Sequence, residues 1–346
     1  MEPGGHDSGS DVLKTAFITG ISGQDGAYLS RHLLQLGYRV IGGDRVTSSG
    51  SLWRLKTLNI LESIEVIHFD LGEFTNIYEV LERYDIDEVY NLAAQSSVAA
   101  SFEMPTLTAD CNGMGALRIL DVIRKISPET RFYQASSSEM FGNAAISPQN
   151  ESTPFHPRSP YAVSKLMGHW SAVNYRESYK MFSCSGILFN HESPLRGDEY
   201  VTKKICRAVA DIHHDRQEFL EVGNIQAKRD WGFAGDYVRA MHMMLQQKSA
   251  DDFVIGTGKS RTVQAFIEAC FQYVGFDLVW EGKGLSLTGR DKSGKCRVKI
   301  NPKFFRPAEA DNICADAAKA RKILKWQPEY SFEDLIAMMM DYELER

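Results

Sequence analysis

The 346-residue sequence contains no hydrophobic run that approaches the roughly 20 apolar residues needed to cross a bilayer. Its first residues, 1–13, are polar and rich in glycine and serine, so we expect a disordered tail there and a cytoplasmic protein. The formal net charge of −6 gives no overall basic excess. This charge argues against nucleic acid or a membrane surface as a partner, although a phosphorylated small ligand could still bind a local basic site.

Metal-binding and disulfide patterns are also missing. The six cysteines are scattered without a C-x-x-C pair, which argues against a zinc site and against a disulfide framework. The nine histidines form no H-E-x-x-H motif. We therefore predict reduced cysteines and no metal centre.

Short apolar runs alternate with helical patterns through the first half of the chain. A run ending at Gly20 precedes a pattern that places Leu29 and Leu33 on one helix face before Gly37 ends it. The predicted strands are 15–19, 39–43, 64–69, 88–92 and 132–135, and further helices are predicted at 77–84, 114–125, 201–213 and 332–342. This alternation indicates a Rossmann-like α/β fold, a doubly wound parallel sheet with helices on both faces. It breaks after about Phe189, which indicates a smaller second unit.

A glycine-rich turn follows the first predicted strand. Gly20, Gly23 and Gly26 form G-x-x-G-x-x-G between a strand and a helix, where bare backbone lets a pyrophosphate approach the helix N-terminus. The spacing alone is a weak signal. Its position in the first strand–helix–strand unit, however, predicts a dinucleotide site.

Two neighbouring residues at the end of the second strand point to different dinucleotides. Asp44 favours NAD because its carboxylate accepts hydrogen bonds from ribose hydroxyls and repels a 2′-phosphate, whereas Arg45 favours NADP. Asp70 and Leu71, after the third strand, are candidates to hold the adenine, and residues 92–96 could pass along the middle of the cofactor. Ordinary packing at strand ends explains these later residues nearly as well.

A tyrosine and a lysine supply the candidate chemistry. Tyr161 and Lys165 form Y-x-x-x-K behind Ser159 and Pro160, which suit an N-cap and a first helical position. Four residues apart on a helix, the phenol and the ammonium share one face. A nearby cation favours the phenolate, so Tyr161 could take a proton from a sugar hydroxyl as hydride leaves the same carbon. Ser137, after the fifth strand, completes a specific constellation.

Six separated motifs carry a family resemblance. They are T-G-I-S-G-Q-D-G from Thr19, F-Y-Q-A-S-S-S-E-M-F-G from Phe132, P-R-S-P-Y-A-V-S-K from Pro157, F-N-H-E-S-P-L-R-G from Phe189, K-R-D-W-G from Lys228 and F-R-P-A-E from Phe305. From about Thr15 to the C-terminus the chain resembles the GDP-mannose 4,6-dehydratases, which are extended short-chain dehydrogenases/reductases. The resemblance implies the fold, a GDP-sugar substrate, a bound and recycled NAD or NADP, and a homodimer or homotetramer.

The resemblance also assigns roles to residues of this chain. The catalytic group is Ser137, Glu139, Tyr161 and Lys165. The cofactor-binding group is Gly20, Ser22, Gly23, Gln24, Asp25, Gly26, Asp44, Arg45, Asp70, Leu71, Leu92, Ala93, Ala94, Gln95, Ser96, Leu107, Tyr161, Lys165, His191 and Arg196. The substrate-binding group is Ser97, Asn190, Arg196, Lys204, Arg229, Arg306 and Glu309. The expected NAD(P)-binding domain covers 14–189 with returns near 228–256 and 305–320, and the nucleotide-sugar-binding domain covers 190–227 and the remainder of 257–346.

This chain departs from the family pattern at two places. Ser137 stands where the family has a catalytic threonine, so the hydroxyl persists while the methyl group is lost. The cofactor loop, which usually carries an Arg-Arg pair, reads G-D-R-V-T at 43–47. The second departure leaves open both the choice between NAD and NADP and the formation of a tetramer.

Other functions on the same scaffold remain as alternatives. The same reaction on a related GDP-sugar, such as GDP-manno-heptose, would use the same contacts to GDP and to the 4-hydroxyl. A nucleotide-sugar epimerase or reductase would not need a carboxylate at Glu139, whereas a dehydratase does. A non-catalytic cofactor-sensing or scaffold protein should have lost Tyr161, Lys165 or Glu139, and all three are intact.

Overall fold

The computed structural model describes residues 13–45, 50–305 and 313–346. The strands are β1 (Thr15–Thr19), β2 (Arg39–Asp44), β3 (Glu65–His68), β4 (Glu88–Asn91), β5 (Arg131–Ser137), β6 (Ser183–Leu188), β7 (Asn190–Glu192), β8 (Leu220–Val222), β9 (Lys228–Phe233), β10 (Phe253–Ile255), β11 (Ser260–Thr262), β12 (Val279–Glu281), β13 (Thr288–Arg290) and β14 (Cys296–Ile300). The α-helices are α1 (Gln24–Gln35), α2 (Trp53–Thr57), α3 (Phe74–Arg83), α4 (Val98–Glu103), α5 (Pro105–Ala109), α6 (Gly115–Ile126), α7 (Pro160–Tyr179), α8 (Val201–His213), α9 (Ala234–Leu245), α10 (Val263–Tyr273), α11 (Ala318–Ile323) and α12 (Phe332–Leu344). A π-helical segment, Asp110–Met114, joins α5 to α6.

A seven-stranded sheet forms the centre of the molecule. Its strand order is β10-β6-β5-β4-β1-β2-β3, and every neighbouring pair is parallel. The predicted doubly wound α/β fold is therefore confirmed, and the predicted strands match the observed ones closely. β5 extends two residues beyond its predicted end, to Ser137, where polar side chains had hidden the continuation of the strand.

Helices cover both faces of this sheet because successive residues of β1 point to opposite sides. Ala16 and Ile18 belong to one buried cluster, which also contains side chains of α1 and α9. Phe17 lies on the other face, in a cluster with side chains of α3, α6 and α7. All five residues of β1 are buried, which explains why this strand reads as an uninterrupted apolar run.

The chain beyond Phe189 forms two smaller sheets. One has the order β11-β9-β7 and the other β12-β13-β14-β8, while β10 returns to the edge of the large sheet. One buried cluster joins Leu29 and Leu33 of α1 to Val209 of α8 and Phe266 of α10, so the core is continuous between the large sheet and this later half. The domain boundaries stay a prediction. Within the described ranges, no helix has the length and apolar character required of a membrane span.

Two features of the fold position the candidate site. Strands β1, β4 and β5 end side by side, and the Thr19 hydroxyl donates to Asn91 Oδ1 at 2.8 Å while Asn91 Nδ2 donates to Gln134 Oε1 at 2.8 Å. Helix α7 begins at Pro160 as predicted, and the Ser159 hydroxyl accepts from the Ala162 amide at 3.1 Å. The carboxyl edge of the sheet and the start of α7 therefore present polar side chains to one region.

Candidate active site

The glycine turn has a backbone that only glycine allows. Gly20 has a φ of +70°, and a Cβ atom built on it would lie 2.8 Å from the Ala93 Cα. A Cβ atom on Gly26 would lie 2.5 Å from the carbonyl oxygen of Gly20. Gly23 is the N-cap of α1, and within the described residues no side chain caps the helix there. The first amides of a helix have no partner within the helix and suit a pyrophosphate, so the residues present fit a dinucleotide.

Asp44 and Arg45 lie beside this turn, as expected. An Asp44 carboxylate oxygen accepts from the Ser22 amide at 3.3 Å, and the Arg45 carbonyl contacts His68 Nδ1 at 3.2 Å. After β3, Asp70 Oδ1 accepts from the Gly72 amide at 2.9 Å. These contacts place the predicted ribose side of the site at the ends of β2 and β3. They leave the preference between NAD and NADP a prediction.

The segment 92–97 runs along the carboxyl edge of the sheet. The amides of Leu92 and Ala93 both donate to the Thr19 hydroxyl at 3.0 Å. The Gln95 amide donates to Asn112 Oδ1 at 2.8 Å, and Asn112 Nδ2 donates back to the Gln95 carbonyl at 3.0 Å. Ser97 caps α4, accepting from the Ala100 amide at 3.2 Å. Asn112 thus positions the predicted cofactor-binding segment, which includes Ala94, through two hydrogen bonds. No motif in the sequence had indicated this role of Asn112.

Leu71 and Leu107 differ in their surroundings. Leu71 is buried, and its carbonyl accepts from Arg118 Nη1 at 3.0 Å. Leu107, on α5, has 48% of its surface exposed. Its predicted contact with a cofactor stays a prediction.

The four predicted catalytic residues come from the end of β5, the 3-10 turn Ser138–Met140 that follows it, and α7. Ser137 ends β5, and its hydroxyl accepts from the Glu139 amide at 3.2 Å. Tyr161 and Lys165 are both buried one helical turn apart on α7, and the lysine Nζ lies 5.8 Å from the centroid of the tyrosine ring. Ser137 hydrogen-bonds to the Tyr161 phenol, and the Glu139 charge acts on the same phenol. The structure therefore brings Ser137, Glu139 and Tyr161 together.

Burial shifts the pKa values of both groups on α7 toward their neutral forms. Burial raises the pKa of the Tyr161 phenol, and the hydrogen bond from Ser137 and the charge of Arg196 only partly offset this. Burial lowers the pKa of Lys165 to about 8, and its Nζ donates to the Ala135 carbonyl at 2.9 Å. In the protein alone the phenol is therefore protonated at neutral pH, and it needs an added positive charge nearby to act as a base.

The segment 190–196 is hydrogen-bonded to the first turn of α1. His191 Nε2 lies 2.7 Å from Asp25 Oδ2, and His191 Nδ1 lies 2.8 Å from the Phe189 carbonyl oxygen. Burial alone would lower the pKa of His191, but the charge and hydrogen bond of Asp25 raise it above the ordinary value. Gln24 Nε2 donates to the His191 carbonyl at 3.2 Å, and the Ser193 hydroxyl donates to Gln24 Oε1 at 2.7 Å. His191 thus lies between a carboxylate and a carbonyl, and the raised pKa favours its protonated form.

Arg196 projects toward the catalytic group. Its Nε lies 3.0 Å from Glu192 Oε2, and its guanidinium carbon lies 3.5 Å from the centroid of the Tyr200 ring. Its charge also acts on the Tyr161 phenol. The Tyr200 hydroxyl lies 2.7 Å from the Ser96 hydroxyl, so Tyr200 links the segment 92–97 to the start of α8. Sequence reasoning missed Tyr200, which no motif marks.

The remaining predicted substrate residues lie further along the chain. Asn190 starts β7 and pairs with Trp231 of β9. Arg229, on β9, is buried, and its Nη1 donates to the Lys228 carbonyl at 2.8 Å. Lys204 Nζ lies 3.3 Å above the ring of Phe304, and partial burial lowers its pKa. Arg306 and Glu309 lie outside the described residues.

Comparisons with known proteins identify the family. A sequence model of the GDP-mannose 4,6 dehydratase family matches residues 17–339. The chain is 46% identical to a GDP-mannose 4,6 dehydratase of Drosophila melanogaster, covering 96% of this chain and 86% of the relative. It is 47% identical to GDP-mannose 4,6 dehydratase 1 of Arabidopsis thaliana, covering 97% and 92%. The chain belongs to the GDP-mannose 4,6-dehydratase family. A bacterial family member from Sinorhizobium fredii is 46% identical, covering 96% of this chain and 97% of the relative.

Solved structures outside this dehydratase family share the fold. A dTDP-glucose 4,6-dehydratase from Bacillus anthracis in complex with NAD superposes with a TM-score of 0.79 at 20% identity, covering 96% of this chain and 97% of that one. The Pseudomonas aeruginosa protein RMD complexed with NADPH gives 0.76 at 21% identity, covering 96% and 100%. At these identities the likeness establishes the architecture alone.

Proposed function

We propose that the chain converts GDP-mannose into GDP-4-keto-6-deoxy-mannose with a bound NAD(P) that is recycled in each turnover. The observation that carries this proposal is the grouping of Glu139 with Ser137 and Tyr161, in which the charge of Glu139 reaches the phenol. An epimerase or a reductase needs the phenol and the hydroxyl but not this carboxylate. Water elimination does need a base, and Glu139 supplies it.

The glycine turn, the start of α1 and Asp44 would hold the dinucleotide. When bound, a nicotinamide would accept the hydride from C4 and return it to C6, and its oxidised form would bring a positive charge to the site. The chain's own residues supply the rest of the site: the start of α1 orients the pyrophosphate, and Lys165 places a second positive charge behind the phenol.

Four proton transfers follow from the side chains. Tyr161, assisted by Ser137, takes the proton of the sugar 4-hydroxyl as that carbon becomes a ketone. The ketone acidifies the neighbouring C5 proton, which Glu139 removes. Glu139, now protonated, gives its proton to the 6-hydroxyl, which leaves as water. Tyr161 or water then reprotonates C5 as C6 regains the hydride.

The GDP portion would be bound by basic side chains of the later half. Arg196, Lys204 and Arg229 are the described cations of the predicted substrate group, and guanidinium groups donate to phosphate oxygens in pairs. Asn190, Ser97 and the two predicted residues beyond Phe305 complete the group. Since these contacts serve GDP and the 4-hydroxyl, a related GDP-sugar such as GDP-manno-heptose stays the second candidate substrate.

Incubation of the purified protein with GDP-mannose and NAD or NADP tests the function directly. We expect mass spectrometry of the nucleotide-sugar fraction to show loss of one water without net consumption of the dinucleotide. Epimerisation leaves the mass unchanged, and reduction consumes the dinucleotide. Either of these outcomes in place of water loss would reject the dehydratase assignment.

Asp44 leads us to propose NAD over NADP. Its carboxylate already accepts from the Ser22 amide, so it lies where a ribose hydroxyl would meet it and where a 2′-phosphate would be repelled. In a competition titration we expect NAD to bind about tenfold more tightly, which corresponds to about 1.4 kcal/mol. Tighter binding of NADP would reverse the assignment.

A homodimer or homotetramer is the proposed assembly. On α7, Val163, Met167 and Trp170 are exposed by 56%, 37% and 54%, and their spacing places them on one helix face. An apolar stripe of this kind supports burial against a second copy. The cytoplasmic location and the division into a cofactor domain and a substrate domain likewise remain proposals.

A further inference from the structure

Arg54 joins two backbone segments that are far apart in sequence. Its Nη1 donates to the Ser22 carbonyl at 2.9 Å, and its Nε donates to the Leu195 carbonyl at 2.7 Å. Ser22 lies in the glycine turn, and Leu195 immediately precedes Arg196 in the substrate-side segment. The side chain comes from α2, where its guanidinium stacks on Trp53 with 4.5 Å between the guanidinium carbon and the ring centroid.

Both carbonyl groups belong to residues whose own amide groups are hydrogen-bonded as well. The Ser22 amide donates to Asp44 at 3.3 Å, so Asp44 and Arg54 together fix the orientation of this part of the turn. The Leu195 amide donates to the Ser193 hydroxyl at 3.1 Å. Arg54 therefore completes a connection from the ribose side of the turn to the residue next to Arg196.

Arginine suits this connection better than lysine does. Two separate nitrogens of one planar group donate to two separate carbonyls, and the rigid group fixes the distance between them. A lysine keeps the positive charge but presents it at a single nitrogen on a flexible stem. Arg54→Lys is therefore a variant that preserves charge and removes the connection.

We propose that Arg54 is a positioning residue that couples dinucleotide binding to GDP-sugar binding. The proposal rests on the proposed function for the identity of the two ligands. A dinucleotide that orders the glycine turn also orders Leu195 through Arg54, and with it the backbone that carries Arg196. The GDP-sugar then meets an ordered Arg196, and by linkage each ligand strengthens the binding of the other by the same factor.

Calorimetric titration with GDP measures this coupling without any chemical step. The protein is first stripped of nucleotide, and GDP is then titrated in the absence and in the presence of saturating NAD or NADP, whichever binds the wild type. For the wild type we expect GDP to bind about tenfold more tightly in the presence of the dinucleotide. For Arg54→Lys we expect that ratio to fall close to one.

Lys56→Ala is the matched control, because Lys56 is an exposed cation on the same helix α2. It should keep the wild-type ratio, which separates the coupling from a general change in charge near the turn. Thermal unfolding of each variant checks that it is folded. In the catalysed reaction, Arg54→Lys should raise KM for GDP-mannose while leaving kcat nearly unchanged, because Tyr161 and Glu139 are on other elements.

A chemical rescue adds a readout that a purely structural role would not move. Added ethylguanidinium should restore part of the coupling in Arg54→Ala, whereas ethylammonium should not, since it cannot reach two carbonyls at once. A wild-type ratio in Arg54→Lys, or a wild type that binds both ligands without coupling, would overturn this proposal alone. A wild type that binds neither ligand would overturn the proposed function and this proposal with it.

Discussion

The two ends of the large sheet both bury charge, but they do so in opposite ways. At the amino end, Glu88 is fully buried and accepts from Tyr90 at 2.7 Å, Gln246 at 2.9 Å, and Lys14 and Tyr38 at 3.1 Å. Burial alone would raise the pKa of Glu88, but the hydrogen bonds from Gln246, Tyr90 and Lys14 lower it. This carboxylate is therefore stabilised in its ordinary charged form.

At the carboxyl end, burial instead shifts the pKa values of the two groups on α7 away from their ordinary values. Burial raises the pKa of Tyr161 and lowers that of Lys165 to about 8, so both groups are pushed toward neutrality with little compensation. A ligand that brings charge can change this balance, whereas at Glu88 the surrounding donors already satisfy the charge. The comparison shows that hydrogen bonds compensate the burial of Glu88, whereas the burial of Tyr161 and Lys165 is left largely uncompensated.

The largest expected effect comes from removing the carboxylate at the carboxyl end. Glu139→Gln keeps size and hydrogen bonding but cannot act as a base, so we expect kcat for water loss to fall by about 10²- to 10⁴-fold. Binding of GDP-mannose and of the dinucleotide, measured by calorimetry, should persist. An unchanged turnover rate in this variant would remove Glu139 from the mechanism.

The corresponding change at the amino end should affect stability and spare activity. Glu88→Gln loses charge-assisted hydrogen bonds, so we expect the free energy of unfolding to fall by about 2 kcal/mol in urea titrations near neutral pH. Because folding lowers the pKa of Glu88, this difference should shrink as the pH falls through that lowered value. A large loss of kcat in the folded variant would contradict the purely structural role of Glu88 at the amino end.

The smallest expected effect is a pH dependence that arises from His191. Its pKa in the folded protein is raised by Asp25 against burial and against Arg196, so its contribution to stability is full below the unfolded pKa. That contribution should be lost as the pH rises through the raised folded value. Urea unfolding at several pH values should therefore show that the unfolding free energy of His191→Gln approaches that of the wild type as the pH rises.

His213→Gln is the control for that series, because His213 is an exposed histidine on α8. It should show no comparable trend with pH. If the difference in unfolding free energy between His191→Gln and the wild type stays constant from acidic to alkaline pH, His191 does not stabilise the protein through its ion pair with Asp25.

Local sequence patterns were sufficient to predict those parts of the candidate site that lie within one continuous segment. The glycine turn was predictable because Gly20 and Gly26 occupy positions where a side chain would clash. The pair Tyr161 and Lys165 was predictable from helical spacing behind a serine cap. Sequence pattern did not predict the roles of Arg54, Asn112 and Tyr200. Each contacts a segment at least 17 residues away, and such contacts produce no recognisable spacing in the sequence.

The sequence by itself determined the alternating fold and the glycine turn, because backbone conformation and helical periodicity depend on near neighbours. Through the resemblance it also predicted a catalytic group. Only the tertiary structure decided that Asp25 would pair with His191 and that Arg54 would bridge Ser22 and Leu195. Such contacts arise when the core brings distant segments together. A buried polar group then bonds to whatever partner lies within reach, and packing rather than local sequence decides which partner that is.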